Sequence, residues 1–156
     1  DRKKVSVALA EAGRPADYFV YDSAAGTMGS IGSAGSHLVN RPVGNVVSIS
    51  YEARDGRTIQ GFVTLPPGKT SDNGPFPLVV LPHGGPVAHD TAEFDWWSGA
   101  YAEAGYAVLR PNYRGSTGST SEHRFAGYGE YGPSRRALPS RTVIASLAAA
   151  MAVIRP

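Results

Sequence analysis

The stretch Leu78-Val79-Val80-Leu81-Pro82-His83-Gly84-Gly85-Pro86 limits what this chain can fold into more than any other. Four apolar residues, two of them β-branched, predict a short strand buried on both faces. The strand has to end at Pro82-His83-Gly84-Gly85, where the backbone turns sharply. Two adjacent glycines permit positive φ and leave main-chain N–H groups bare beside a ligand. Such groups, just past the carboxyl end of a parallel strand, suit a developing oxyanion. The alternative is a strand followed by a tight turn with no chemistry.

The chain has 156 residues, enough for one ordinary domain or a small domain with a partial neighbour. An apolar fraction of 42% with 10% aromatics places it with globular proteins. A net charge of +2, with no clustering of basic residues, argues against a nucleic-acid surface. The absence of cysteine excludes disulfides, thiolate metal sites and a cysteine nucleophile. No apolar run is long enough for a membrane span, so a soluble protein of the cytoplasm or periplasm is expected. Asp1-Arg2-Lys3-Lys4 precedes a short apolar run that reads as a strand, not a signal peptide. The first residue is not Met, which suits a fragment of something longer.

Taken in order, Val5, Val7 and Leu9 alternate as in a strand. Tyr18–Tyr21 make a second strand, and Thr27–Ile31 a third after the turn at Asp22–Gly26. Short strands with small-residue turns fit the last blade of a propeller, and Gly32–Gly35 reads as a flexible link. Val46–Tyr51 and Thr58–Leu65 form a hairpin about Asp55-Gly56. After a loop over Pro66–Pro77 comes the strand Leu78–Leu81. Asp90 or Thr91 can cap a helix with an apolar stripe of Phe94, Trp97, Tyr101 and Ala104, ended by Gly105. Tyr106–Leu109 is then a strand stopped by Pro111. Strand, helix, strand with short joins predicts a βαβ unit and parallel pairing. The expected fold class is α/β: a partial sheet preceded by a propeller-blade remnant.

The order Ala53-Arg54-Asp55-Gly56, Thr64-Leu65-Pro66-Pro67-Gly68, Leu78–Pro86, Phe94-Asp95-Trp96-Trp97 and Gly105–Ser116 resembles the prolyl oligopeptidase family of serine peptidases. Its acylaminoacyl-peptidase and dipeptidyl-peptidase-like branch is the most similar. The likeness runs from about residue 17 to about residue 132 and is most specific over Leu78–Gly118. It keeps the Arg-Gly-Ser-x-Gly of relatives at Arg114–Gly118 and departs at Ser119-Thr120-Ser121, just after it. The resemblance implies the end of a β-propeller over residues 1–40 and the N-terminal half of an α/β-hydrolase domain over 41–132. A divergent tail follows over 133–156. It further implies hydrolysis of peptide or acyl-peptide bonds through an acyl-enzyme, with a peptide as substrate and no metal or organic cofactor.

Site residues follow from the same resemblance. Gly85 is expected to lend its backbone N–H to the oxyanion hole. His83 is either a donor on the oxyanion side or a residue whose hydrogen bond fixes the loop. Arg114 is either a substrate contact or a salt-bridge partner. His37, His89 and His123 stand apart and read as solvated or capping residues, and Trp96 and Trp97 as core. Gly115–Gly118 lacks the lysine and spacing of a phosphate loop.

No serine has glycines two before and two after it, so the nucleophile elbow is missing, and no acidic residue follows Glu130. Without serine and base there is no acyl-enzyme route, and this chain alone is expected to be inactive. Pro133–Pro156 has no acidic, glycine or aromatic residue and four arginines. A reading-frame slip or a truncation accounts for that change, the rival being a genuine Ala-rich helix over Thr142–Ile154. Two other functions stay open: a lipase- or esterase-like hydrolase, and a non-catalytic binding module on a hydrolase scaffold.

Overall fold

The computed structural model describes residues 3–38, 41, 43–53, 55–85 and 87–129. The tail over 133–156, and with it the frame-slip expectation, lies outside them.

The first sheet is antiparallel, with β1 (Lys4–Glu11), β2 (Arg14–Asp22) and β3 (Thr27–Ser33) in sequential order. Asp22 sets the turn after β2: its carboxylate accepts from the N–H groups of Ala24 and Ala25. Three strands provide little core, and Val5, Leu9, Met28 and Ile31 are all exposed. Of the segment expected as a link, Gly32 and Ser33 belong to β3, and a 3-10 turn over Ser36–Leu38 follows it.

The second sheet contains β4 (Val46–Glu52), β5 (Thr58–Thr64), β6 (Leu78–Val80) and β7 (Ala107–Asn112) in the order β4-β5-β7-β6. The β4–β5 hairpin turns at Asp55-Gly56 as its residue types require, with Gly56 at φ +78°. β5 and β7 are antiparallel, whereas β6 and β7 are parallel, Val80 opposite Leu109. Ile49, Tyr51, Ile59, Val63, Ala107 and Leu109 form the core, with Leu78 and Val80 packed against it.

Helix α1 (Trp96–Glu103) joins β6 to β7. Its N-cap is Asp95, whose carboxylate accepts from Ser98 N–H, and neither Asp90 nor Thr91 caps it. Gly105 closes the helix at φ +93°. The expected apolar stripe does not face the sheet. The buried residues of α1 are Ser98 and Ala102, one turn apart. A Cβ at Gly44 would lie 3.1 Å from the Ala102 methyl, so only small side chains fit this close approach. Trp96 and Trp97 are consequently not core: they are 60% and 49% exposed and stack on each other at 4.2 Å.

β7 also runs past the proline expected to stop it. Pro111 lies within the strand, opposite Gly61. The carbonyl of Leu109 points toward β6, where it accepts from Leu81 N–H. The backbone of Pro111, two residues on, faces that same side, beyond the last residue of β6 paired with β7. Its missing donor therefore removes no bond to β5.

Candidate functional site

The parallel strand β6 ends at Val80, and the chain turns away through Pro82 and His83 to Gly84-Gly85. Neither glycine uses the left-handed backbone that the pair permits. A Cβ at Gly84 would meet nothing within 4 Å, and one at Gly85 would make ordinary contacts with Val87 N and the Tyr113 hydroxyl. The glycines serve exposure, then, not conformation. Among the described residues nothing accepts from the Gly85 N–H, and Gly85 is exposed in the loop that follows β6.

What holds this loop is the turn after β7. The His83 ring stacks on Tyr113 with centroids 4.5 Å apart and planes 16° from parallel. Its Nε2 lies 2.8 Å from Ser116 Oγ and its Nδ1 lies 2.7 Å from the Gly84 carbonyl oxygen. The Tyr113 hydroxyl donates to the His83 carbonyl oxygen at 2.7 Å, and the Ser116 hydroxyl donates to the Tyr113 carbonyl oxygen at 2.6 Å. Ser116 is fully buried. Both ring nitrogens of His83 are thus occupied by the protein itself, which is the loop-fixing arrangement.

Farther along, Thr117 N–H donates to the Ala88 carbonyl oxygen, and Thr117 Oγ1 lies 2.9 Å from His89 Nδ1. Asn112 clamps the backbone of Asp90, accepting from its N–H at 2.7 Å and donating to its carbonyl at 3.0 Å. Arg110, 4% exposed, reaches Asp90 Oδ1 at 3.5 Å and donates to the Glu93 carbonyl oxygen. Burial raises the Asp90 pKa above its ordinary value, and the Arg110 charge only partly opposes this.

Arg114 donates to Asp55 at 2.6 Å and so ties the turn after β7 to the β4–β5 hairpin. That hydrogen bond is the main cause of the lowered pKa of Asp55. His123 is neither solvated nor merely a cap. It is 6% exposed, with Nε2 between the carbonyl oxygens of Asn112 and Tyr113 at 3.1 and 3.0 Å. From α2 (Ser121–Phe125) it closes the far side of the same turn. A polar cleft of about 490 Å³ opens beside it, lined by Arg57, Gln60, Asn112, Thr117, Thr120 and His123. Arg57 is engaged there by Glu122 at 3.2 Å.

The sequence brought forward Gly85, His83 and Arg114 but passed over Tyr113, Ser116 and Asn112. The only signal for them was their spacing, three polar or hydroxyl residues within five of the strand end. Among the described residues no three His, Asp or Glu side chains gather as a metal site, and no helix is long and apolar enough to cross a membrane.

No protein-family model matches the chain. A dipeptidyl aminopeptidase BIII from Pseudoxanthomonas mexicana is 37% identical over 136 residues, covering 84% of this chain and 20% of its own length. The human acylamino-acid-releasing enzyme is 41% identical over 56 residues, which are 36% of this chain and 8% of that enzyme. Among solved structures, a prolyl endopeptidase superposes with a TM-score of 0.65 at 18% identity, covering 96% of this chain and 21% of its own. The chain thus spans about a fifth, or less, of the proteins it matches.

Proposed function

We propose, for a chain that belongs to the prolyl oligopeptidase family of serine peptidases, that Gly85 supplies one N–H of an oxyanion hole for peptide or acyl-peptide hydrolysis. In that chemistry a serine oxygen adds to the scissile carbonyl, whose oxygen becomes anionic. A donor already aimed at that oxygen stabilises the transition state by about 3–4 kcal/mol. The observation that carries the reading is the exposed Gly85 N–H, unengaged among the described residues, in the loop after a parallel strand. In this reading His83 acts on the loop and not on the substrate. Arg114 fastens the hairpin. Residues 1–40 form the end of a propeller and residues 41–132 the first part of the hydrolase domain, with the tail apart.

The sequence holds no Gly-x-Ser-x-Gly elbow, so nucleophile and base come from outside this chain. The chain itself is expected to turn over no aminoacyl p-nitroanilide and to take no fluorophosphonate label. Covalent labelling would overturn that. The role of Gly85 is tested by placing residues 43–129 at the corresponding positions of the Pseudoxanthomonas relative. Replacing Gly85 by Pro removes the donor and should lower kcat by about 10²–10³-fold, whereas Gly85→Ala keeps the N–H and the rate. An unchanged kcat in the proline variant would refute the assignment.

A further inference from the structure

Gly84 and Gly85 carry no side chains, so the direction of the Gly85 N–H has to be set by bonds from their neighbours. The Gly84–Gly85 peptide is trans, and its N–H therefore points opposite to the Gly84 carbonyl in one plane. That carbonyl oxygen accepts from His83 Nδ1 at 2.7 Å, so the imidazole aims the peptide. The imidazole in turn needs a fixed seat, and Tyr113 supplies it in two ways. Its ring stacks on His83 at 4.5 Å, and its hydroxyl donates to the His83 carbonyl oxygen at 2.7 Å. The same hydroxyl oxygen lies 3.6 Å from where a Cβ on Gly85 would stand. Tyr113 is held just as firmly at its backbone. Its carbonyl oxygen accepts from Ser116 N–H at 3.0 Å, from the Ser116 hydroxyl at 2.6 Å and from His123 Nε2 at 3.0 Å. Both of those partners are buried.

We infer that Tyr113 is a positioning residue for the Gly85 donor: a strut whose foot is held by Ser116 and His123 and whose tip holds His83. The inference rests on the reading of Gly85 as an oxyanion donor, and Tyr113 acts through that donor, not on the substrate. It also gives the buried His123 a use, as the anchor of the strut from α2. A donor that is misaimed still permits substrate to bind but stabilises the transition state less. Loss of the strut is therefore felt in kcat and not in KM.

Tyr113→Phe keeps the ring and removes only the hydroxyl. In the Pseudoxanthomonas relative carrying residues 43–129, it should lower kcat about tenfold with KM changed by less than about twofold. Added to Gly85→Pro it should lower kcat no further, because the donor that it aims is already gone. An unchanged kcat would overturn the inference, and so would a loss equally large in the Gly85→Pro background; either leaves the role of Gly85 standing. An unchanged kcat in Gly85→Pro alone would instead remove the reading beneath the inference, and the inference with it. Where the relative so altered gives no rate, NMR relaxation of the full chain decides. The order parameter of the Gly85 amide should be about 0.85 in the parent and below about 0.6 in Tyr113→Phe. A Gly85 amide that is already loose in the parent, or equally ordered in both, would overturn the inference.

Discussion

Nε2 of His83 lies 2.8 Å from the buried hydroxyl oxygen of Ser116, 33 residues later in the chain. This contact joins the loop after one parallel strand to the turn after its neighbour. It makes the geometry of the Gly84-Gly85 corner depend on residues outside it. Ser116→Ala should leave His83 Nε2 without a partner and cost about 1–3 kcal/mol, read as a lower urea midpoint at unchanged m-value. A midpoint equal to that of the parent chain would show that the Nε2 contact adds nothing to what the Tyr113 stack and the Nδ1 contact with the Gly84 carbonyl oxygen already hold.

Two carboxylates should tilt the pH profile of stability in opposite directions. Asp90 has a raised pKa, so it binds its proton more tightly folded than unfolded, and its contribution falls as pH rises from its ordinary value of 3.8 through the raised one. Asp55 has a lowered pKa, so its contribution is complete above 3.8 and is lost as pH falls through the folded value. Subtracting the profile of Asp90→Asn from that of the parent should give a slope of one sign, and Asp55→Asn the other. At neutral pH Asp90→Asn should also lose about 3 kcal/mol, since Arg110 is then buried without a counter-charge. Parallel profiles would contradict both assignments.

Gly61 and Gly85 should respond differently to the same methyl group. A Cβ at Gly61 would lie 2.8 Å from the Arg110 carbonyl oxygen in the middle of the sheet, and one at Gly85 no closer than 3.4 Å to anything. Gly61→Ala is expected to destabilise by about 2 kcal/mol or more, and Gly85→Ala by less than about 0.5 kcal/mol. Thermal unfolding of the two variants side by side settles the contrast.

Helix α1 should tolerate loss of its largest residues and resist growth of its smallest. Replacing Trp96 and Trp97 together by Ser should shift stability by less than about 1 kcal/mol, because both rings lie mainly against each other and solvent. Ala102→Leu should cost about 1–3 kcal/mol, since its site has no room beside Thr64 and Gly44. Similar losses in the two variants would mean that the tryptophans support the helix after all.

The strands were legible because alternation and turn residues report local constraints. β-branched runs, Asp55-Gly56 and the apolar stretch before His83 all act within a few residues of themselves. Helix orientation was not legible, because periodicity ranks residues by hydrophobicity, whereas the sheet selected Ser98 and Ala102 for size. Nor was the packing around Gly85. Gly85 stood out by type, but the residues holding its loop come from a turn after another strand. His123 illustrates the same limit: a lone histidine looks solvated until the fold places two carbonyl oxygens beside its ring.

Pro111 also fixes a length. Rungs between β6 and β7 recur every two residues, from Ala107 N–H to the Pro77 carbonyl oxygen up to Leu81 N–H to the Leu109 carbonyl oxygen. The next would require an N–H from Pro111 to reach the Leu81 carbonyl oxygen, and proline has none. The zipper therefore jams at Leu81, and the following chain is released from the sheet just where Pro82-His83-Gly84-Gly85 begins. The point at which this loop leaves the sheet is measured out by a residue on the neighbouring strand, as a stop on a rail sets where a carriage comes to rest.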